Sequence, residues 1–231
     1  MRVAITGAAS GIGFATATRL QRDGWDVVGI DINPAPFDDA HVLDLRDRAA
    51  IIETFDRIGP IDALVNDAGV GFAATTADTT DEQWDTMLAI NLTGMFLATR
   101  AVLSGMIERG GGSIVNLASV AGVVGVRNRA GYCATKGGVI AFTRAVAADH
   151  AHEGIRANAI CPGTVATEWI GKILADAPDP EVTRAAMEAR QLDGRMGTPE
   201  EVAAGIAFLL SDDGRFVNGS AWVMDGGMTA V

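Results

Sequence analysis

The stretch that decides the fold is Thr6-Gly7-Ala8-Ala9-Ser10-Gly11-Ile12-Gly13, which follows a short apolar run at Arg2–Thr6. Three glycines in these eight residues let the backbone turn tightly from a strand into a helix and approach a bound group closely. The unpaired amides and the positive dipole at the start of that helix attract a phosphate. The stretch therefore indicates a strand, a glycine-rich turn and a helix that could bind the pyrophosphate of a dinucleotide. An ordinary strand-to-helix turn remains the alternative for the stretch by itself.

Apolar runs of strand length alternate with stretches of helical spacing along the rest of the chain. Because these runs are short and almost wholly apolar, they suit a parallel sheet covered by helices on both faces. We expect an α/β fold with a doubly wound parallel sheet of the Rossmann type, as a single domain over residues 1–231 with a substrate-lid insertion around 164–197. The sequence predicts strands at 3–5, 27–30, 63–65, 114–117 and 157–160, and helices at about 11–23, 47–57, 81–108, 130–151 and 199–211.

The connection after the second predicted strand is unusually short. About nine residues, Pro34 and Pro36 among them, separate Asp31 from a further strand that starts near His41. A crossover helix does not fit into this length, and the prolines disfavour one. We therefore expect a shortened connection that leaves the adenine side of a dinucleotide pocket open.

Asp31 ends the second predicted strand, about twenty residues after the glycines, where a carboxylate accepts hydrogen bonds from the adenosine ribose hydroxyls. The same carboxylate would repel a 2′-phosphate. Neither Ser10 nor Ile32 supplies a positive charge beside it. The sequence therefore favours NAD over NADP, although a solvated acid at a strand end is the alternative for Asp31 alone.

Tyr132 and Lys136 lie four residues apart at the start of a predicted helix, so their side chains share one face. A phenol titrates near pH ~10, but a nearby ammonium group and the positive nicotinamide of NAD⁺ favour phenolate and bring its pKa toward neutrality. Ser119 follows a predicted strand and could hydrogen-bond a substrate oxygen on which charge develops during hydride transfer. Together, these three residues predict an enzyme that interconverts a secondary alcohol and a ketone. Such a pair is also common on surface helices, so the prediction depends on the nucleotide loop that precedes it.

The composition excludes several classes of partner. The 231 residues carry a formal net charge of −11, which argues against binding to nucleic acid or to an anionic membrane surface. No uninterrupted apolar run approaches ~20 residues and no signal peptide precedes the first strand, so we expect a cytoplasmic protein without a membrane partner. Cys133 and Cys161 are expected to be reduced thiols. Because His41, His150 and His152 are too scattered to form a ligand set, we expect no metal.

The residues quoted so far occur in the order and spacing of the short-chain dehydrogenases/reductases, which the sequence resembles over essentially its whole length. The match also includes the turn Asn66-Asp67-Ala68-Gly69, Asn91 in the long middle helix and Pro162-Gly163. Asp67 stands where the family often has a second asparagine. The run around Trp222 resembles the family's last strand, and the resemblance implies a homotetramer.

The resemblance implies a role for each matching residue. Tyr132 would exchange the proton, Ser119 would orient the substrate, Lys136 would bind the nicotinamide ribose and lower the pKa of the tyrosine, and Asn91 would complete a water-linked proton relay. The implied catalytic residues are thus Asn91, Ser119, Tyr132 and Lys136. The implied cofactor-binding residues are Gly7, Ser10, Gly11, Ile12, Gly13, Asp31, Ile32, Asp44, Leu45, Asn66, Ala68, Gly69, Tyr132, Lys136, Pro162, Gly163, Val165 and Thr167.

Within the family, the run Asn128-Arg129-Ala130-Gly131-Tyr132 is similar to the branch of 3-hydroxybutyrate dehydrogenase type 2 and 2-keto-3-deoxy-L-fuconate dehydrogenase. The resemblance implies a small carboxylate substrate, either a hydroxy acid or a deoxy sugar acid. Arg129, one helical turn before Tyr132, could bind the carboxylate, and Arg190, Gln191 or Arg195 could close over it. The expected substrate-binding residues are therefore Ser119, Arg129, Tyr132, Arg190, Gln191 and Arg195. The alternative is that these arginines are solvated or paired with nearby acids.

Two other functions stay open. A 3-oxoacyl thioester reductase usually prefers NADPH and would need a basic residue near Ser10 or Ile32, which the sequence lacks. A non-catalytic dinucleotide-binding sensor or scaffold would gain nothing from keeping Ser119, Tyr132 and Lys136 together. Trp169, just after the Pro162-Gly163 loop, is expected to belong either to a lid or to the core.

Overall fold

Seven strands form one sheet in the computed structural model, which describes residues 1–231. In chain order they are β1 Arg2–Thr6, β2 Asp26–Asp31, β3 Asp39–Val42, β4 Ala63–Asn66, β5 Gly112–Leu117, β6 Ile155–Pro162 and β7 Ala221–Met224. Their order across the sheet is β3-β2-β1-β4-β5-β6-β7, and every neighbouring pair is parallel. The chain builds outward from β1 to β3 and then crosses back to β4. This confirms the predicted doubly wound sheet and places a crevice at the carboxyl ends of β1 and β4.

Helices cover both faces of the sheet. They are α1 Gly11–Arg22, α2 Arg48–Ile58, α3 Asp81–Leu88, α4 Met95–Glu108, α5 Ala130–His150, α6 Glu168–Ala175, α7 Pro180–Glu188 and α8 Pro199–Leu210. Successive strand residues point to opposite faces, so Val3 packs with α1 and α8 while Ala4 packs with α2, α4 and α5. Two apolar cores result, one on each face of the sheet. Because both faces are buried, the strands carry continuous apolar runs instead of alternating ones.

Helix α8 shows how local sequence sets an element boundary. Thr198 accepts a hydrogen bond from the backbone amide of Glu201, and the Glu201 side chain accepts one in return from the Thr198 amide. This capping box satisfies amides that the helix cannot pair itself, and Pro199 suits the first helical position because its missing N–H is not needed there. The helix therefore begins at Pro199.

The connection between β2 and β3 contains no helix, as its length predicts. Phe37 covers part of the sheet surface that a crossover helix would occupy. Its ring lies 3.0 Å from the position that a Cβ atom would take at Gly29, and its centroid is 5.9 Å from that of Phe14 in α1. A glycine at position 29 thus lets the phenylalanine lie directly on the strand.

The long middle helix is not uniform, contrary to the expectation of one α-helix over 81–108. A π-helical segment at Ala89–Gly94 separates α3 from α4, and Asn91 lies within it. By length and composition alone the run Asp81–Glu108 could cross a membrane, and 44% of its most apolar window is buried against the rest of the chain. In this structure α4 packs on α2 and on the sheet.

Residues 164–197, which the sequence marks as an insertion, contain α6 and α7. These helices share a small apolar cluster of Ile170, Leu174, Met187 and Met196. The cluster ties the two helices together, separately from the two main cores. The segment thereby forms one wall over the carboxyl ends of the strands.

Candidate active site

A cavity of about 560 Å³ lies at the carboxyl ends of the strands, beside the crossover between β1 and β4. In doubly wound sheets this crevice is the place where nucleotides bind. Most of the predicted site residues line it. The predicted site residues that line the cavity are Gly7, Ser10, Gly11, Ile12, Asp31, Ile32, Asp44, Leu45, Ala68, Gly69, Ser119, Arg129, Tyr132, Lys136, Pro162, Gly163, Val165, Thr167 and Arg190.

The glycine-rich loop has the backbone geometry that a pyrophosphate needs. Gly7 and Gly11 adopt φ angles of +79° and +55°, which side chains other than glycine rarely tolerate. Ser10 precedes α1 but its side chain caps no amide, so no neighbouring side chain of the loop competes with an anion at the helix start. Gly13 does not line the cavity as expected. A Cβ atom there would lie 2.1 Å from the Gly7 carbonyl oxygen, so this glycine lets α1 approach the loop.

Two backbone amides hold the Asp31 side chain at the end of β2. Its Oδ2 accepts a hydrogen bond from the Ala9 amide at 3.1 Å, and its Oδ1 accepts one from the Asn33 amide at 2.9 Å. The carboxylate therefore connects the glycine-rich loop to the end of β2. Each oxygen keeps a lone pair for a ribose hydroxyl.

Tyr132, Lys136 and Ser119 meet at the opposite end. The Lys136 ammonium donates a hydrogen bond to the Leu117 carbonyl at 2.5 Å and lies 5.7 Å from the centroid of the Tyr132 ring. Burial raises the pKa of Tyr132 to about 12, and the Ser119 hydroxyl opposes this rise because it stabilises the phenolate. Burial also lowers the pKa of Lys136 to about 8, an effect that the carboxyl group of Asp67 opposes.

Asp67 has a larger role in the site than its sequence position indicated. Its Oδ2 lies 2.8 Å from the place that a Cβ atom would take at Gly13, so the carboxyl group sits directly beneath the glycine-rich loop. Burial raises its pKa to about 7, whereas the Lys136 ammonium and the Gly13 amide lower it and the carboxylate of Asp31 raises it. No local signal predicts this placement, because it depends on how β4 and α1 pack.

Asn91 holds the wall of the cavity and does not line it. Its Oδ1 accepts a hydrogen bond from the Val70 amide at 2.8 Å, and its Nδ2 donates to the Val70 carbonyl at 2.8 Å and to Thr135 Oγ1 at 3.0 Å. The side chain is fully buried. The side chain of Asn91 thus fixes the turn after β4 relative to α5, and its expected part in a water-linked proton relay stays a prediction.

Asn66 also departs from its predicted cofactor contact. Its side chain points into the layer behind the cavity, where Nδ2 donates to Asn116 Oδ1 at 2.8 Å and to Thr99 Oγ1 at 3.2 Å. It is buried because it is the last residue of β4, in the middle of the sheet. The neighbouring residues of the turn, rather than Asn66, reach the cavity.

Arg129 and Arg190 form the charged part of the substrate end. Both line the cavity, and neither guanidinium forms an ion pair with an acidic side chain. The Arg129 guanidinium lies 6.0 Å from the centroid of a Trp169 ring, which itself lies 6.2 Å from the Tyr132 ring. Burial and the neighbouring charge of Arg190 lower the pKa of Arg129, an effect that Tyr132 opposes. Trp169 is thus part of the wall formed by α6 and not of the main core.

Gln191 and Arg195 do not reach this cavity, so their predicted substrate contacts are corrected. The Gln191 amide is buried and donates to the Met187 carbonyl at 2.7 Å and to the Arg195 carbonyl at 3.2 Å. Arg195 pairs with Glu201 at 2.6 Å. Both line a separate recess of about 210 Å³.

Comparisons with known proteins agree with this geometry. A family model described as enoyl-(acyl carrier protein) reductase matches residues 7–229. The chain is 41% identical to 2-(S)-hydroxypropyl-CoM dehydrogenase 3 of Xanthobacter autotrophicus, over 99% of this chain and 96% of the relative. It is 38% identical to 2-keto-3-deoxy-L-fuconate dehydrogenase of Xanthomonas campestris pv. campestris, over 98% of this chain and 79% of the relative.

A solved structure of 4-hydroxyisoleucine dehydrogenase complexed with NADH superimposes with a TM-score of 0.92. The two chains are 29% identical, and the alignment covers 100% of this chain and 99% of the other. The family match, the sheet topology and the joint placement of Ser119, Tyr132 and Lys136 point to one conclusion. The chain belongs to the short-chain dehydrogenase/reductase family and is a nicotinamide-dinucleotide-dependent oxidoreductase of CH–OH groups.

Proposed function

We propose that the protein is an NAD-dependent dehydrogenase that interconverts the secondary alcohol and the ketone of a small hydroxy acid or deoxy sugar acid. The observation that carries the substrate class is the pair Arg129 and Arg190, whose guanidinium groups line the cavity next to Tyr132 without an acidic partner. Guanidinium groups bind carboxylates through paired hydrogen bonds. In a chain with a net charge of −11, two such groups at one end of a cavity favour an anionic ligand.

The proton chemistry follows from the residues around Tyr132. Bound NAD⁺ would supply the hydride acceptor and a positive charge near the phenol. The Tyr132 oxygen accepts the alcohol proton as the carbonyl forms, and the Lys136 ammonium stabilises the phenolate that this requires. Ser119 holds the substrate oxygen and stabilises the charge that develops on it. Burial raises the pKa of Tyr132 to about 12, while the Ser119 hydroxyl and the Arg129 guanidinium lower it. In this proposal the charges of Lys136 and of bound NAD⁺ favour the phenolate further.

The preference for NAD is supported by Asp31. Its carboxylate is held in place by the amides of Ala9 and Asn33, at the position where a ribose 2′-phosphate would meet it. Neither Ser10 nor Ile32 carries a positive charge that could bind a 2′-phosphate, which supports the same preference. It disfavours the thioester reductase alternative, which would use NADPH.

Two expectations about the whole protein stay predictions. We infer a homotetramer, which the exposed aromatic side chains of Phe208, Phe216 and Trp222 near β7 support. Size-exclusion chromatography with light scattering tests this expectation, and a monomer would contradict it. A cytoplasmic location is likewise a prediction.

The substrate class is tested with a panel of hydroxy acids, sugar acids and neutral secondary alcohols with NAD⁺, with NADH absorbance as the readout. The best substrates are expected to carry a carboxylate. The variant Arg129→Ala is expected to raise their KM by about 10- to 100-fold, because a charged hydrogen bond is lost. The KM of a neutral alcohol is expected to stay nearly unchanged.

Arg127→Ala is the matched control. Arg127 lies two residues earlier in the same connection, is exposed and does not line the cavity. The Arg127→Ala substitution removes the same charge without changing the proposed carboxylate site. The kinetics of this variant are therefore expected to match those of the unmodified enzyme. Best substrates that lack a carboxylate, or an unchanged KM in Arg129→Ala, would contradict the proposal.

A further inference from the structure

Glu168 occupies part of the anion-binding loop in the cofactor-free protein. Its Oε2 accepts a hydrogen bond of 3.0 Å from the Gly11 amide, although the two residues lie 157 positions apart in the chain. Gly11 is the first residue of α1, whose first turn contains no acidic residue and whose Ser10 provides no side-chain cap. The carboxylate of a distant helix thus supplies the negative charge that this helix start attracts.

This contact uses a backbone amide of the nucleotide loop. Helix starts in this position of a doubly wound fold bind the pyrophosphate of a dinucleotide through such amides. Both Gly11 and Glu168 line the same cavity. The Glu168 carboxylate is therefore an internal competitor for the phosphate group.

The contact also fixes the position of α6. Glu168 is the first residue of that helix, and the Thr167 methyl group lies 3.3 Å from the place that a Cβ atom would take at Gly11. The next residue, Trp169, packs against Tyr132 and Arg129. The hydrogen bond at Gly11 thereby connects the glycine-rich loop to the wall of the substrate end.

We propose that Glu168 is a positioning residue that holds α6 on the glycine-rich loop until the pyrophosphate of the dinucleotide displaces its carboxylate from Gly11. Displacement of this carboxylate then releases the start of α6 from the glycine-rich loop. The proposal requires only a dinucleotide at this loop and does not depend on the hydroxy-acid substrate proposed above.

Calorimetry with ligands that differ in phosphate content tests the competition. Glu168→Gln is expected to bind ADP and NADH about two- to fivefold more tightly than the unmodified protein, because the loop loses its internal anion. Adenosine, which has no phosphate, is expected to bind both proteins equally. Glu181→Gln is the matched control, since Glu181 is an exposed acid of the same insertion that lies outside the cavity.

The binding results can support or contradict the proposed competition between the Glu168 carboxylate and a phosphate group. Tighter ADP binding by Glu168→Gln alone supports the proposal. Equal or weaker ADP binding by this variant, an equal gain for adenosine, or an equal gain in Glu181→Gln would overturn it. Because Glu168 is exposed, the substitution leaves no cavity in the core, and circular dichroism of the variant verifies its fold.

Hydrogen exchange tests the movement of α6 without any turnover. In the unmodified protein, ADP is expected to accelerate amide exchange in residues 168–175 to the rate found in ligand-free Glu168→Gln. In that variant, ADP is expected to change the exchange of the segment little. Unchanged or slower exchange in the unmodified protein on addition of ADP would overturn the proposed displacement.

Discussion

The Nζ atom of Lys136 lies 5.7 Å from the centroid of the Tyr132 ring and donates its hydrogen bond to a backbone carbonyl instead of the phenol. The ammonium group is therefore close to the aromatic ring without a direct bond to the phenol. Burial raises the pKa of Tyr132 to about 12, and the Ser119 hydroxyl and the Arg129 guanidinium lower it. We expect the oxidised nicotinamide to add a positive charge that lowers it further.

This arrangement predicts the effect of removing the phenol. Tyr132→Phe is expected to reduce kcat by a factor of about 10² to 10⁴, because proton transfer is lost. Binding of NADH is expected to change little, since the aromatic ring and the whole glycine-rich loop remain. Steady-state kinetics and NADH fluorescence titration measure the two effects. Turnover close to that of the unmodified enzyme would rule out proton transfer by Tyr132.

The titration of Tyr132 is directly observable because the chain contains a single tyrosine. Ultraviolet tyrosinate absorbance is expected to stay low up to about pH 10 in the cofactor-free protein, as the raised pKa requires. Saturating NAD⁺ is expected to move the onset to lower pH. NADH, whose nicotinamide is uncharged, should move it less. Identical titrations with and without NAD⁺ would show that the cofactor charge does not act on the phenol.

The carboxyl group beneath the glycine-rich loop predicts a pH-dependent stability. The folded-state pKa of Asp67 is raised from 3.8 to about 7, so folding favours its protonated form. The stability that this group contributes is present below about pH 4 and is lost as the pH rises through about 7. Asp67→Asn cannot ionise, so the Tm advantage of this variant over the unmodified protein is expected to grow from pH 5 to pH 8. Each kcal/mol of relative stability gained corresponds to a rise in Tm of about 2–4 °C.

Thermal unfolding followed by circular dichroism at these two pH values measures the difference. The pKa of Lys136, which burial lowers to about 8, affects the pH dependence mainly above this range. A Tm difference between variant and unmodified protein that stays constant from pH 5 to pH 8 would contradict the assignment to Asp67.

Cofactor preference is expected to depend on Asp31. The double variant Asp31→Ala with Ile32→Arg removes the charge that repels a 2′-phosphate and adds one that attracts it. The ratio of kcat/KM for NADP to that for NAD is expected to rise by about 10- to 100-fold, which corresponds to roughly 1.4–2.8 kcal/mol. Asp38→Ala is the control, because Asp38 is an exposed acid in the same connection and does not line the cavity. An equal rise of this ratio in Asp38→Ala would show that the change in the net charge of the protein, and not the substitution at the ribose site, causes the effect.

The close approach of α1 to the loop predicts a strong effect at Gly13. A Cβ atom there would lie 2.1 Å from the Gly7 carbonyl oxygen, so Gly13→Ala must displace the backbone that faces the pyrophosphate. NADH binding and Tm are both expected to fall clearly. Gly171→Ala in α6 is the control, since nothing lies within 4 Å of its Cβ position and alanine favours a helix by about 0.5–1 kcal/mol. Equal effects of the two substitutions would contradict the packing argument.

Several features of this protein were predictable because they depend on local spacing. The turn from Gly7 to Gly13, the acid at the end of β2 and the four-residue separation of Tyr132 and Lys136 each follow from the geometry of a strand, a turn or a helix. The alternation of apolar runs with helical stretches likewise predicts the parallel sheet. Even the missing helix after β2 could be predicted, because chain length alone excludes it.

Other features were decided only by the tertiary structure. The side-chain amides of Asn66 and Gln191 turn away from the cavity and donate instead to buried acceptors, Asn116 for the first and the Met187 carbonyl for the second. The π-helical segment that carries Asn91 depends on its partners in the turn after β4 and in α5. No local pattern encodes such partners.

The glycine-rich loop combines features that follow from the local sequence with features that depend on the tertiary structure. The sequence by itself determined that this loop binds an anion, because glycine geometry and the helix dipole are local properties. Only the tertiary structure decided which groups of the chain surround it, with the carboxyl group of Asp67 beneath it and that of Glu168 on its Gly11 amide. These contacts depend on how β4 and α6 pack against α1, and long-range packing is a property of the whole fold.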